Sequence, residues 1–342
     1  MVTLKQLAEK LNVSVSTVSK ALHESDEISK ETIERVKTLA KQLNYQPNKV
    51  AISLKSNKTH TIGVIIPNIL NHFFAKVLYG IEEEATKNGY DIIICISNES
   101  NAKELQSLEV LGNGSVDGFI MSIAEETQVQ NQTQHIESIL QHDLPVVMFD
   151  RVSDTIDCDK VIIDDFGAAY EATQYLLREG RKHIVLLSDI EELSVGKLRV
   201  NGYLQALHED ASYANEPIIL HIDNTQNVEE SIETLLQDNP TIDGILSIDN
   251  TTGVVALHKA IKRGINVPKD LSIIGFSDEN VLPFTDPKLS TISQHAIGIG
   301  KASVNLLIDR LSKKYNTETV TKTIKTNLIH RSTTNQEHPK PF

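Results

Sequence analysis

The first sixty residues hold ten Lys/Arg against six Asp/Glu, a balance of +4, while the whole 342-residue chain stands at −13, which leaves −17 on the remainder. Ammonium groups gathered at one end can do electrostatic chemistry. They attract phosphates there while the anionic remainder repels them, and the contrast orients such a chain on a nucleic acid. Polar side chains in the same segment have a more local task. Thr3 followed by Gln6, and Ser14 followed by Thr17, put side-chain oxygens where the first turn of a helix has unpaired N–H groups.

Those caps require helices behind them. Leu4, Leu7, Ala8 and Leu11 recur at helical spacing, and Val15, Val18 and Leu22 do the same in a second segment, so two apolar faces can close on each other with small Ala8 at the crossing. The turn between them needs a residue that tolerates a left-handed backbone, and Asn12 does so cheaply, with Val13 plugging the corner. Ser29 caps a third helix whose inner face is Ile33, Val36, Ala40 and Leu43, with Lys37 and Lys41 outside. Residues 3–22 thus read as a helix-turn-helix on a three-helix core, the geometry that sets one helix into a DNA groove.

Other chemistries find little support. Gly298-Ile299-Gly300-Lys301 hints at a phosphate loop, but His295 stands where a glycine is needed and Ala302 where Ser or Thr is needed. Gly112-Asn113-Gly114 lacks the third glycine of a dinucleotide fingerprint and reads as a helix end or turn. His135, His142, His183, His208, His221 and His258 are scattered, without a partner at ligand spacing, so no metal and no cofactor is expected. No Gly-x-Ser-x-Gly elbow or kinase signature appears. Two cysteines, Cys95 in an apolar run and Cys158 in a polar one, point away from a disulfide framework and toward a reducing cytoplasm. A charged N-terminal segment and the lack of a long apolar run argue against export or membrane insertion.

At 342 residues the chain is long enough for two or three domains, and its 40% hydrophobic content is that of an ordinary globular protein. From Thr61 onward β-rich runs alternate with helical stretches: residues 62–67, 91–96, 118–121, 145–149, 184–187, 244–248 and 272–276. Continuous apolar runs suit strands covered on both faces, and Gly89, Gly180 and Gly264 stand where helices must end before the chain returns to a sheet. The expected fold is an all-α helix-turn-helix head and an α/β body of two doubly wound parallel-sheet subdomains. They divide near Asp157–Ile163 and enclose a cleft at the carboxyl ends of their strands.

The run Thr3–Leu54 closely resembles the lactose-repressor (LacI/GalR) family of bacterial transcription regulators, above all in Val13-Ser14, Thr17-Val18-Ser19-Lys20 and Asn44-Tyr45-Gln46-Pro47-Asn48. Further landmarks extend the likeness along the chain: Asn71-His72-Phe73-Phe74, Phe149-Asp150-Arg151, Arg199-Val200-Asn201-Gly202-Tyr203 and Ile274-Gly275-Phe276-Ser277-Asp278. The resemblance implies a head over 1–46, a hinge helix and linker over 47–60, and a type I periplasmic-binding-protein-like sensor over 61–342. One subdomain would take about 61–161 and 292–320, the other about 162–291 and 321–342.

By that resemblance Val15 and Ser16 face base edges with Lys20 close by, while Thr3, Thr17, His23 and Ser29 serve phosphates and Leu4 joins them at the interface. Valine meets a thymine methyl and serine bonds either base, so readout by these small side chains is undemanding. In the hinge the implied DNA contacts are Asn48, Ala51, Leu54 and Lys55, with Leu54 wedged between base steps in the minor groove. Ile52 stands where many relatives carry arginine. In the sensor, the implied effector contacts are Phe73, Phe74, Asp150, Arg151, Arg199, Asp249, Asn250, Ser277 and Asp278, a set suited to a sugar or sugar derivative. Asp249-Asn250 reverses the usual order, and Ser277 replaces a common Asp.

The expected function is therefore a homodimeric, sequence-specific repressor of a roughly palindromic double-stranded DNA operator, controlled by a small sugar-like effector. Competing readings are the same DNA-binding role governed by a partner protein or by no effector, a sugar-binding transport component, and an enzyme using Asp150 and Asp278 as acid and base.

Overall fold

The computed structural model describes residues 2–45, 58–222, 227–249, 251–277, 286–312 and 318–335. The chain separates into two compact units between Thr59 and His60. In the first, α1 (Leu4–Leu11), α2 (Val15–Leu22) and α3 (Lys30–Gln42) form because each start is capped: by Thr3 in a reciprocal pair with Gln6, by Ser14, and by Ser29. Asn12 ends α1 in the left-handed region at φ 55°, as the turn demands. Leu7, Ala8, Val18, Ala21, Val36 and Ala40 are buried together as a small core.

The second unit carries two sheets. The first has the order β11-β5-β4-β3-β1-β2, built from β1 (Thr61–Ile66), β2 (Asp91–Ile96), β3 (Gly118–Met121), β4 (Val146–Phe149), β5 (Asp159–Ile163) and β11 (Thr321–Ile324), all parallel. Helices α4 (His72–Lys87) and α12 (Ala296–Leu311) cover one face through Phe74, Val77, Ile81 and Leu307. On the other face lie α5 (Asn101–Gly112) and α7 (Gln134–Gln141), with α6 (Glu125–Val129) beyond the end of β3. Strand residues alternate between these faces, which is why near-continuous apolar runs were needed.

The second sheet has the order β12-β10-β9-β8-β6-β7, from β6 (Ile184–Ser188), β7 (Ile218–His221), β8 (Gly244–Ser247), β9 (Ser272–Phe276), β10 (Ser290–Ser293) and β12 (Asn327–Ile329). Its pairs are parallel except β10 with β12. Helices α8 (Asp165–Arg178) and α9 (Ser194–Glu209) cover one face, α10 (Val228–Asp238) and α11 (Thr252–Lys262) the other. Helix pairs approach closely where side chains vanish: a Cβ on Gly80 would lie 2.2 Å from the Ile297 carbonyl oxygen, and one on Gly300 would lie 2.2 Å from that of Val77.

The chain passes between the lobes three times, after β5, after β10 and after β11. Residues 157–163 are therefore not merely a divide: Asp159–Ile163 is an interior strand of the first sheet, and the passage follows at Asp164. The return expected at 321 comes after Ile324 instead, because β11 pairs along β5 from Thr321 with Lys160 to Ile324 with Ile163. Cys158, read as polar, is buried in the apolar cluster between β4 and α7, and burial pushes its thiol up to about 12. Both cysteines are free.

Candidate functional site

On the head, the Ser14 cap starts α2 by accepting the Thr17 N–H at 3.0 Å. Val15 is 45% exposed and Ser16 is exposed, while Val18 and Ala21 are buried, so Val15 is not a core residue. Lys20, on the same exposed side, pairs with Glu27. A His23 ring nitrogen lies 2.8 Å from the Ser19 carbonyl oxygen. Thr3 and Ser29 are exposed caps, and Thr17 Oγ1 lies 2.8 Å from Ser14 Oγ. Leu4 is half-buried against the three-helix core, as its place on the apolar face of α1 predicts. Asn48, Ala51, Leu54 and Lys55 lie outside the described residues, as do Asn250 and Asp278.

Between the two lobes a cavity of about 210 Å³ opens at the carboxyl ends of the strands. It brings together Phe73, Phe74, Asp150, Arg151, Arg199 and Asp249 from the expected set. Ser277 is not in its lining; it is buried at the end of β9, where its N–H donates to the Ile292 carbonyl and ties β9 to β10. Phe73 and Phe74 enter on the first turn of α4, started by Asn71, whose Oδ1 accepts the Phe73 N–H at 3.0 Å.

Asp150 follows β4 directly and holds φ 58°, a left-handed backbone that aspartate tolerates better than most residues. Burial pushes its carboxyl up to about 6, against the pull of Arg199 and Arg151. Arg151 pairs with Glu99 at 2.7 Å and lies 5.4 Å over the Phe74 ring. Arg199 is buried and fully enclosed by partners. Its Nε donates to Asp165 at 2.7 Å, Nη1 to the Ile248 carbonyl at 2.7 Å and Nη2 to Gln294 Oε1 at 2.9 Å, with Phe276 beneath at 4.3 Å. It is not a surface ion pair. Asp249 accepts from the Thr251 N–H and Thr252 N–H, both at 2.7 Å, and from Thr252 Oγ1 at 2.6 Å, so it starts α11 as well as facing the cavity.

The lining also includes residues that sequence reasoning missed: Asn68, Asn71, Glu99, Glu125, Asp189 and Gln294. Asp189 and Gln294 directly follow β6 and β10, and Glu99 follows β2 by three residues, so polar groups just past strand ends were the available signal. Asp189 keeps an exposed face, yet partial desolvation at the cleft and neighbouring Asp249 push its carboxyl up to about 7. Among the described residues no three His, Cys, Asp or Glu side chains are grouped to hold a metal ion, and no helix is long and apolar enough to cross a membrane.

A capped helix with an outward polar face, in a chain that goes on to two doubly wound lobes around a polar cleft, defines the class of DNA-binding regulators that carry a binding-protein-like sensor. Residues 3–48 match the bacterial regulatory proteins of the lacI family, and residues 59–332 match the periplasmic binding proteins and sugar binding domain of the LacI family. The chain belongs to the LacI family of bacterial transcriptional regulators. It is 33% identical to catabolite control protein A of Priestia megaterium, over 96% of this chain and 97% of that protein. It is 30% identical to the HTH-type transcriptional repressor PurR of Aliivibrio salmonicida, over 92% and 94%.

Among solved structures, the Lac repressor dimer bound to operator and the anti-inducer ONPF shares the fold, with a TM-score of 0.85 at 21% identity over 97% of this chain and 99% of that one. A LacI family regulator from Enterococcus faecium with bound ribose gives 0.70 at 26% identity over 80% and 98%. Membership in a family of regulators sets aside the enzyme reading, and the matched head sets aside a transport component.

Proposed function

We propose that this chain is a cytoplasmic repressor that grips a roughly palindromic operator as a homodimer and is controlled by a small sugar-like effector in the cleft. The observation that carries the DNA-binding part is the exposed start of α2, where Val15 and Ser16 stand free beside Lys20 in a sixty-residue N-terminal segment of charge +4. An α-helix presented this way fits the major groove, and its two small side chains suit a thymine methyl and a base-edge acceptor or donor.

A second copy of the chain is favoured by the edge strand β2, which ends the first sheet with Ile93 38% and Ile94 41% exposed. An exposed apolar edge is a pairing surface. The effector is favoured by the cleft itself, where aromatic Phe73 and Phe74 sit beside carboxylates and guanidinium groups, the mixture that holds a polyhydroxylated ring. The bound ribose of the Enterococcus faecium relative supports the same class.

The test is a gel-shift series with palindromic duplexes at 50 to 200 mM salt, with and without sugars, beside sedimentation of the free protein. Affinity should fall by orders of magnitude across that range, as phosphate contacts require. A working effector should shift it about 5- to 150-fold, a coupling of ~1–3 kcal/mol. Salt-insensitive or absent binding, or a monomer at every concentration, overturns the proposal.

A further inference from the structure

Charge around the cleft does not balance. Both guanidinium groups that line it are committed, Arg151 to Glu99 at 2.7 Å and Arg199 to Asp165 at 2.7 Å. Asp249 has three donors of its own. That leaves Glu125, Asp150 and Asp189 lining one cavity of about 210 Å³ with, among the described residues, no side chain that donates to their carboxylates. Asp189 is the more one-sided of the two aspartates. Asp249 and Glu125 face it, with Arg151 opposing them, whereas at Asp150 two guanidinium groups, Arg199 and Arg151, offset Asp165 and Glu99. A neighbouring cavity that shares Asp189 and Glu125 adds Glu191 and Glu192, with His221 already paired to Glu191.

A ligand entering here has to supply donors and must not add negative charge, since a phosphate or carboxylate would sit against half-buried Glu125 and Asp150 and exposed Asp189, none of them neutralised by a side-chain donor among the described residues. Resting on the assignment of this cleft to the effector, we propose that it takes a polyol without phosphate or carboxylate, neutral or amine-bearing, and that Asp189 enforces the exclusion of anionic sugars. Neither the neutral nor the amine-bearing class alone is required by the geometry, because hydroxyl and ammonium groups both donate to a carboxylate.

Proton linkage gives an independent handle. Asp189, held up at about 7 by desolvation and Asp249, is drawn to its charged form by a donor-bearing ligand, so binding releases a proton. Affinity is then full above pH ~7 and falls as pH drops below it, by at most about tenfold per unit.

The experiment is a thermal-shift and calorimetric comparison on the full chain with matched sets: glucose, glucosamine and glucose 6-phosphate, then ribose and ribose 5-phosphate. A neutral or amino sugar should raise the Tm and bind at least tenfold tighter than its phosphorylated partner, and the amine arm separates the two permitted classes. Asp189→Asn should narrow that gap several-fold and flatten the pH dependence. Should Asp189→Asn fail to fold, Glu125→Gln serves as the second variant, with a smaller narrowing. A phosphorylated sugar that binds as tightly as its parent and releases operator DNA overturns the charge rule while leaving the effector assignment intact. An unchanged gap in Asp189→Asn overturns the role of that residue. No shift from any sugar, with operator binding intact, overturns the effector assignment and the charge rule together.

Discussion

Gln128 and Ser194 exchange two hydrogen bonds across the cleft: the Ser194 N–H donates to Gln128 Oε1 at 2.9 Å, and Gln128 Nε2 donates to Ser194 Oγ at 3.0 Å. Gln128 sits on α6 of the first lobe and Ser194 opens α9 of the second. Gln128 is itself held in place, because its Nε2 also donates to the Val152 carbonyl at 3.0 Å, and α6 is fixed by buried Glu104, which accepts from the Ala124 N–H and from Thr127 Oγ1.

A pair of this kind biases the lobes toward closure. Two net hydrogen bonds are worth about 1–2 kcal/mol, a factor of roughly 5–30 in an equilibrium. Gln128→Ala should therefore weaken effector binding by about that factor while leaving operator binding by the ligand-free protein within severalfold of normal. Calorimetry on the variant checks it, and an unchanged Kd would count against the pair as a clasp.

On the head, Lys20 is occupied by Glu27, and under the proposed DNA-binding role it would exchange that partner for phosphate or base. An exposed pair of this type is weak, so the exchange is easy but not free. Glu27→Gln should tighten DNA binding about two- to fivefold. Lys20→Ala should weaken it and reduce the slope of log affinity against log salt by about one. Titrations at several salt concentrations separate these outcomes from a general loss of folding.

Asp150 should be a stability liability that the cleft tolerates for its chemistry. Burial raises its carboxyl to about 6, above the ~3.9 of the unfolded chain. Between those values the folded state holds a proton that the unfolded state has lost, so stability declines as pH rises through the window, and the full penalty applies above it. Asp150→Asn keeps a side chain that tolerates φ 58° and removes the penalty. The variant should gain about 1–3 kcal/mol at pH 8 and little near pH 4, with effector binding impaired. Melting curves at both pH values give the comparison; equal gains at both would contradict burial as the cause.

How much of this was legible in the sequence depends on how local the signal is. The caps at Thr3, Ser14 and Ser29 and the left-handed Asn12 are decided within four residues, and each appears as read. The helix ends at Gly89, Gly180 and Gly264 likewise require positive φ, which glycine supplies. Strands β10 and β11 were not legible: Ser290–Ser293 and Thr321–Ile324 hold one aliphatic residue each and owe their strand state to neighbours that arrive from distant sequence. The same holds for Glu99, Asp189 and Gln294, which only the sheet order gathers around one cavity.

The three passages between the lobes have a consequence for how the sensor comes into being on the ribosome. The first sheet starts with β1 at Thr61, yet its outer strand β11 is not synthesised until Thr321–Ile324. A nascent chain that has already made every strand from β2 to β10 still has an unfinished first lobe with the flank of β5 open to water. A premature stop anywhere before Thr321 leaves it so for good, and truncated products should be cleared or aggregate instead of surviving as half-sensors.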